Sequence, residues 1–308
     1  MAYNKLEKLQ DNLQAITIAL SVEREGRQAT EEEQAALRKY SGFGGLKFIL
    51  NPCNDTSDIE KWSRSDRSYF SLTQRLFATL RATSSNEREY QDYVRSLRNS
   101  VLTSFYTPEA VVDTISKVLK NRGVEVKNYL DPSAGKGTFI ESVKEEYPTV
   151  KATAFEKDLI TGKVLKALYP NEDIHIDGFE TINVSQQGQY DIVSSNIPFG
   201  DISVFDNGFA TSGNAVKAAS TKTIHNYFFL KALEQVREGG FVAFITSRGF
   251  MDSPSNNKIR EELIKNSRLV GAYRLPDGMF RDEAGTDVGS DLVVLQKYTG
   301  YDATLDPD

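Results

Sequence analysis

The strongest constraint on the fold is a change of pattern near residue 101, after which short apolar runs alternate with amphipathic segments. The apolar runs have the length of buried strands, and the segments between them carry apolar residues at helical spacing. This alternation predicts an α/β fold in which a mostly parallel sheet has helices on both faces. The predicted strands span residues 128–131, 152–156, 173–177, 190–196, 240–247, 268–275 and 291–298.

Helices are predicted between these strands. Gly239 and Gly240 are expected to end the helix that begins at Ile224, because glycine often terminates a helix. The small and polar residues from 203 to 223 predict a mobile loop over a substrate cleft, in which Lys217 and Lys222 either meet phosphates or stay in solvent. The predicted helices span residues 108–123, 137–147, 159–169, 224–240 and 257–267.

The first hundred residues are interpreted as a separate helical region, followed by one catalytic domain over residues 101–308. LEKLQDNLQAITIAL has apolar residues at helical spacing, and Thr30 before three glutamates predicts a helix start. Three glycines in SGFGGL, residues 41–46, indicate either a tight bend or an ordinary loop. No separate carboxy-terminal domain is expected, because the last predicted strand ends close to the final residue.

Composition excludes several classes of protein. Cys53 is the only cysteine, so no disulfide can form within the chain, and with two histidines a Cys/His metal site is not expected. We therefore expect chemistry without a metal. The sequence has no apolar stretch of about 18 residues and no signal peptide, which predicts a cytoplasmic protein without a membrane partner.

The charge pattern leaves two interpretations open. The formal net charge is −6, which argues against a uniformly basic nucleic-acid-binding body. Between residues 61 and 98, however, eight basic residues stand against four acidic ones, either as a solvated helical face or as a docking surface for nucleic acid or another partner. The basic residues are Lys61, Arg64, Arg67, Arg75, Arg81, Arg88, Arg95 and Arg98.

A glycine-containing turn follows the first predicted strand, in NYLDPSAGKGTFI from Asn128 to Ile140. Small residues let a ligand lie against the backbone, and the carboxyl end of a strand is where open α/β sheets bind ligands. The turn lacks a third glycine and a Gly-Lys-Ser/Thr ending, which disfavours a pyrophosphate ligand. Glu156 closes the next strand, where a carboxylate can accept hydrogen bonds from both hydroxyls of a ribose.

A second candidate segment is DIVSSNIPFGD, in which the fourth predicted strand ends at Asn196. An amide oxygen, a backbone carbonyl at Ile197 held extended by Pro198, and the ring of Phe199 together could bind the amino group of a base. A strand that enters a proline-closed turn with a core phenylalanine is the alternative interpretation.

Together, the two segments resemble the paired motifs of amino-methyltransferases, whose glycine-rich cofactor turn and Asn/Asp/Ser-Pro-Pro-aromatic motif face one cleft. SFYTPEAVVDTI, residues 104–115, is similar to the segment before the cofactor turn in the gamma-arrangement N6-adenine DNA methyltransferase family. DGFE, AGTDVGSDLVVLQK, SGFGGL and SLRNSVLTSFYTP resemble the methylase portion of large helicase-linked DNA methylases of bacterial mobile elements. The resemblance implies a Rossmann-like class I methyltransferase sheet preceded by the helical region.

The resemblance also implies S-adenosylmethionine as the cofactor and DNA as the substrate. The expected acceptor site consists of Asn196, Ile197, Pro198 and Phe199. Glu156 would hold the ribose, and Asp177 with Phe179 would contact the cofactor's adenine, although a solvated aspartate and a core phenylalanine are the alternative. The expected cofactor-binding residues are Phe105, Tyr106, Thr107, Pro108, Asp131, Pro132, Ser133, Ala134, Gly135, Gly137, Phe139, Glu156, Lys157, Asp177, Gly178 and Phe179.

Ile197 departs from the family motif, which usually has proline at that position. The role implied there is a backbone carbonyl that accepts an amino hydrogen, which isoleucine can supply, so we expect activity to survive. The leading expectation is therefore methyl transfer to adenine N6 in DNA. The alternatives are transfer to an RNA base or to protein glutamine, and a non-catalytic cofactor-binding or DNA-binding module. A helicase or a target-recognition domain or subunit outside this chain is the expected partner.

Overall fold

A computed structural model describes residues 4–103, 107–276 and 289–298 of the chain. Within these ranges, the strands form one seven-stranded sheet. The strands are β1 (Asn128–Asp131), β2 (Lys151–Phe155), β3 (Asp173–His175), β4 (Tyr190–Asn196), β5 (Val236–Ser247), β6 (Ser267–Arg274) and β7 (Ser290–Lys297).

The strand order is β3-β2-β1-β4-β5-β7-β6. Strands β1 to β5 pair in parallel, while β7 lies antiparallel between β5 and β6. The predicted mostly parallel sheet is therefore confirmed. The parallel direction brings the carboxyl ends of β1 to β5 to the same edge, where ligands bind in open α/β sheets.

Helices surround the sheet and precede it. Thr30 starts the second helix as predicted: its hydroxyl accepts from the Glu33 amide at 3.3 Å, and the Glu33 carboxylate accepts from the Thr30 amide at 2.9 Å. In the described part of the chain, no helix is long and apolar enough to span a membrane. The α-helices there are α1 (Lys5–Glu25), α2 (Glu31–Leu37), α3 (Phe70–Thr83), α4 (Glu87–Thr103), α5 (Glu109–Asn121), α6 (Thr138–Glu146), α7 (Leu159–Leu168), α8 (Asn207–Ala210), α9 (Ala215–Ser220), α10 (Ile224–Gln235), α11 (Gly249–Asp252) and α12 (Asn257–Ile264).

Alternate residues of the central strands bury against helices on opposite faces of the sheet. Leu130 and Val193 belong to the core that includes α10. Tyr129 and Ile192 belong to the core that includes α5 and α6. This period of two is what a strand covered on both faces requires, and it accounts for the continuous apolar runs in the sequence.

The amino-terminal helices share a third core with α7. Apolar side chains of α1 pack with Ile160 and Val164 of α7. Ser96 of α4 donates to Asp158 at 2.7 Å and accepts from the Ile160 amide at 3.0 Å, which ties α4 to the start of α7. Helix α4 itself runs from Glu87 to Thr103, across the expected boundary at residue 100. The division into two domains stays a prediction.

The predicted end of the helix at Gly239 and Gly240 is wrong, because α10 ends at Gln235. The chain joins the sheet immediately, because Val236 pairs with Tyr190 of β4, and the Val236 carbonyl also accepts from Lys297 Nζ at 2.8 Å. The two glycines belong to an irregularity of β5: Gly239 has φ 74°, and a Cβ on Gly240 would lie 2.7 Å from the Asp191 carbonyl oxygen. They allow a close approach of two strands instead of ending a helix.

The predicted mobile loop over residues 203–223 contains two short helices, α8 and α9, and its mobility stays a prediction. Asp206 caps α8 and accepts hydrogen bonds from Tyr227 at 2.7 Å and from Lys231 at 2.9 Å. Burial opposes the charged carboxylate, but the bonds from Lys231 and Tyr227 outweigh it and lower the pKa of Asp206. Lys217, a candidate phosphate contact, forms an ion pair with Glu234.

The pair of Lys231 and Asp206 provides a test of this anchoring. Lys231→Met keeps most of the apolar side chain but leaves Asp206 buried without its cation. We expect the free energy of unfolding to fall by about 3–5 kcal/mol. Urea unfolding followed by circular dichroism measures this change.

The matched control is Lys265→Met, which breaks the ion pair between the exposed Lys265 and the partly buried Glu262. Its free energy of unfolding should stay close to that of the unmodified protein, because a pair with an exposed cation contributes little and Asn214 still donates to Glu262. Similar losses in the two variants would contradict a specific role of the buried pair.

Candidate active site

A cavity of about 1350 Å³ opens where the carboxyl ends of β1 to β4 meet. Pockets for single small molecules are typically about 300–1,000 Å³, so this cavity has room for a cofactor and part of a second ligand. Both candidate segments contribute to its wall. The expected residues that line it are Thr107, Pro132, Ser133, Ala134, Gly135, Phe139, Glu156, Lys157, Asp177, Gly178, Phe179, Asn196, Ile197, Pro198 and Phe199.

The glycine turn after β1 is held against the end of β2. The Ala134 amide donates to the Phe155 carbonyl at 2.9 Å, and the Gly135 amide donates to the Glu156 carboxylate at 2.8 Å. Gly137 has φ 91°, and a Cβ there would lie 2.6 Å from the Tyr169 ring. Gly137 thus lets the turn pack on α7, and it is not among the residues that line the cavity.

Glu156 is fixed by two backbone amides, those of Gly135 and Asp158, the second at 2.7 Å. Burial raises the pKa of Glu156 to about 7, and the charges of Asp158 and Asp131 add to the effect. Each carboxylate oxygen has two lone pairs, so it can still accept from a ligand hydroxyl. The position and the acceptor capacity fit the predicted contact with a ribose.

The end of β3 supplies an exposed carboxylate and a buried ring. Asp177 is exposed and accepts from the Gly178 amide at 2.8 Å. Phe179 is buried, with its ring centroid 5.3 Å from that of Phe228, so it belongs to the core as well as to the cavity wall. Lys157 pairs with Glu180 at 2.8 Å.

The expected acceptor site, residues 196–199, begins at the last residue of β4. Asn196 is half-buried and lines the cavity, as do Pro198 and Phe199. The Ile197 side chain is buried in the core, and its amide donates to the Ile245 carbonyl at 3.0 Å. Proline has no amide hydrogen for this bond, so isoleucine extends the β4–β5 pairing by one residue beyond Asn196.

The other expected cofactor residues have three different placements. Thr107 is buried in the cavity wall, and its hydroxyl has no hydrogen-bond partner among the described residues. Pro108 precedes α5 and does not line the cavity. Asp131 is fully buried behind the turn, where burial raises its pKa to about 7. Phe105 and Tyr106 lie outside the described residues.

Helix α4 also contributes to the cavity wall, which the sequence interpretation missed. Asp92, Arg95, Ser96 and Asn99 line the cavity. Their spacing of three and four residues puts them on one face of a helix, so the signal was present in the sequence. Arg95 pairs with Asp92 at 2.9 Å.

The rim of the cavity carries two exposed apolar side chains directly after the acceptor motif. Ile202 is 54% exposed and Phe205 is 89% exposed, and both line the cavity. Helix α10 contributes Ile224, His225 and Phe228 to the same wall. The part of the cavity beside Asn196 to Phe199 is therefore largely apolar.

The basic segment between residues 61 and 98 is partly neutralised. Lys61 pairs with the buried carboxylate of Asp58, and Arg81 pairs with Glu87 on the protein surface. Both interpretations of this segment stay open.

Comparison with known proteins connects these features to a family. Residues 97–304 match the family described as N-6 DNA Methylase. The chain is 31% identical over 199 residues to "Defense against restriction protein B" of Escherichia phage P1, covering 64% of this chain and 8% of that protein. It is 25% identical over 173 residues to the type II methyltransferase M.XamI of Xanthomonas campestris pv. amaranthicola, covering 52% of this chain and 32% of that protein.

Solved structures show the same fold. A Listeria monocytogenes protein described as a class I S-adenosylmethionine-dependent methyltransferase matches with a TM-score of 0.56 at 13% identity, over 95% of this chain and 88% of that chain. A Vibrio vulnificus protein described as a modification subunit of a type I restriction enzyme matches with a TM-score of 0.54 at 17% identity. The match covers 95% of this chain and 76% of that chain. The fold is therefore that of class I methyltransferases, whose cofactor is S-adenosylmethionine.

The raised pKa of Glu156 gives a pH-dependent prediction. In the expected ribose contact, the hydroxyls donate to the ionised carboxylate, so cofactor binding should favour the deprotonated form. We expect affinity for S-adenosylhomocysteine to weaken by about tenfold per pH unit as pH falls below about 7, measured by calorimetry.

Glu156→Gln should remove this dependence. The control is Asp131→Asn, which removes a carboxyl outside the cavity wall; the dependence should persist and move to lower pH, because the charge of Asp131 helps raise the pKa of Glu156. If the affinity of Glu156→Gln still depended on pH and that of Asp131→Asn did not, the pH dependence would belong to Asp131 and the prediction would be wrong.

Proposed function

The chain belongs to the N-6 DNA Methylase family, and from this premise we propose that it transfers a methyl group from S-adenosylmethionine to N6 of a flipped adenine in DNA. The observation that carries the proposal is the placement of Asn196 to Phe199 in the same cavity as Gly135 and Glu156. A cofactor half and an amino-acceptor half thus open into one space.

In the acceptor half, which holds Asn196 to Phe199, the Asn196 side-chain oxygen and the Ile197 carbonyl accept hydrogen bonds from the two N–H groups of the target amino group. An exocyclic amine is a poor nucleophile because its lone pair is delocalised into the ring. Acceptors on both hydrogens favour tetrahedral geometry at nitrogen and stabilise the positive charge that develops there. The burial of the Ile197 side chain and the use of its amide by Ile245 fix the backbone that presents the carbonyl.

In the cofactor half, the buried hydroxyl of Thr107 and the carboxylate of Glu156 are acceptors available to a polar ligand. S-adenosylmethionine would supply an electrophilic methyl group on its sulfonium and leave as S-adenosylhomocysteine, while the methylated amino nitrogen would lose one proton to solvent. Glu156 binds the ribose, and the turn around Gly135 lets the ligand lie close to the backbone. These residues act by positioning, since direct transfer between two bound groups requires alignment and no covalent enzyme intermediate.

A flipped base leaves the stack at a free-energy cost of a few kcal/mol, which contacts in the cavity must offset. Phe199 stacks on the extruded base. Phe205 at the rim has an exposed ring that contacts a neighbouring base, since aromatic side chains stack on bases of any sequence. The polar face of α4, with Arg95, lies beside the same opening and contacts the phosphate backbone.

The chain spans 8% and 32% of the lengths of the two curated relatives that it matches. We therefore propose that target recognition depends on a partner, such as a helicase or a recognition domain or subunit. This arrangement suits a restriction-modification system or the protection of a mobile element. It also means that the isolated chain is expected to methylate DNA with modest sequence selectivity.

The test is transfer of labelled methyl groups from S-adenosylmethionine to unmethylated DNA, followed by nucleoside analysis. We expect N6-methyladenine as the product. Asn196→Ala should lower the transfer rate by about 100-fold or more, because one of the two acceptors is lost. Calorimetry should give an unchanged affinity for S-adenosylhomocysteine.

Asn171→Ala is the matched control, because Asn171 is exposed and does not line the cavity. Its transfer rate should equal that of the unmodified protein. Assays with RNA and with glutamine-containing protein test the alternative acceptors. Methyl transfer to one of these and none to DNA would refute the proposal.

A further inference from the structure

His225 is a buried polar side chain that the proposed reaction does not yet use. It is 7% exposed, lies at the second position of α10 and lines the cavity. Neither Nδ1 nor Nε2 has a hydrogen-bond partner in the described part of the chain. Its ring contacts Phe250, with centroids 6.1 Å apart and the ring planes nearly perpendicular.

An unpartnered imidazole is unfavourable in such a place. The neutral ring carries one N–H donor and one acceptor nitrogen, and a buried polar group without a partner is destabilising. Both ring nitrogens are shielded from solvent in this structure, so contact with a ligand requires the ring to turn beside Phe250 towards the cavity. A ligand in the cavity is the natural source of the missing hydrogen bond.

The surroundings of His225 place it in the acceptor half of the cavity. The charged group that acts on it is Asp201, five residues after Asn196. Its neighbours on the wall are Ile224 and Phe228 of the same helix. Burial lowers the pKa of His225 more than the charge of Asp201 raises it, so the ring is neutral near pH 7.

We propose that His225 contacts the acceptor base directly and donates a hydrogen bond to one of its ring nitrogens. The inference rests on the proposed function and extends it from the amino group to the ring of the base. Adenine has two acceptor nitrogens beside its amino group, N1 and N7. Asn196 and Ile197 accept hydrogen bonds from the amino group, and His225 donates a hydrogen bond to N1 or N7. This bond fixes the rotation of the base in its plane.

The test uses a DNA oligonucleotide that the unmodified protein methylates, with the target adenine replaced by 1-deazaadenine or by 7-deazaadenine. Each analogue replaces one ring nitrogen with C–H and keeps the amino group. With the unmodified protein, we expect kcat/KM to fall by about 10-fold to 100-fold for one analogue only. His225→Phe keeps an aromatic ring against Phe250 but has no donor, so it should methylate adenine and that analogue equally well.

His225→Gln and His225→Asn identify the donating nitrogen. They also replace the phenylalanine variant in the test if that variant does not fold. Glutamine places its amide near the Nε2 position and asparagine near the Nδ1 position, so one of them should restore discrimination between adenine and the analogue. His175→Phe is the matched control, because His175 is outside the cavity wall and its ring stacks on Phe155. It should discriminate as the unmodified protein does.

The outcomes separate this inference from the proposed function. If the unmodified protein methylates adenine in DNA but His225→Phe discriminates between the analogues as strongly as before, the inference fails and the proposed function stands. If both analogues react as fast as adenine, the inference also fails. If no DNA is methylated at all, the proposed function fails, and the inference fails with it.

Discussion

The site depends on the hydrogen bonds that join the turn after β1 to the end of β2. The amides of Ala134 and Gly135 donate to Phe155 and Glu156, so one short segment fixes the backbone of the turn and the carboxylate that faces it. Neither part would hold its position alone, because a glycine turn has many conformations and a glutamate has several rotamers. The backbone amides of the turn and the acceptors at the end of β2 would otherwise lack hydrogen-bond partners, and here they bond to each other.

The same edge of the sheet brings the two halves of the cavity together. β1 and β4 are neighbours in parallel, so the turn after Asp131 and the motif after Asn196 leave the sheet side by side although they are far apart in sequence. The unusual Ile197 fits this arrangement, since its amide extends the pairing to β5 and its side chain fills the core. The departure from the family motif therefore has a local structural reason.

The sequence predicted the sheet well because strands buried on both faces are continuous apolar runs, and β1 and β4 match their predicted bounds. It failed where a tertiary contact overrides local preference. The end of α10 is set by the pairing of Val236 with Tyr190 of β4, and α8 lies against the buried pair of Asp206 and Lys231, which no local pattern reveals. Asp92 to Asn99 were missed because their helix was assigned to a separate region. His225 was missed because a single histidine has no periodic signal.

Helix α7 has a further consequence for synthesis of the protein. The apolar faces of the amino-terminal helices pack against Ile160 and Val164, which leave the ribosome long after α1 and α3 have been made. Until then, these faces pack only on each other, and the part that α7 covers is open to chaperones or to aggregation. The order of translation thus delays the burial of the first helices until the glycine turn and β2 exist. Folding of the helical region and assembly of the cofactor half of the cavity are expected to be coupled in time.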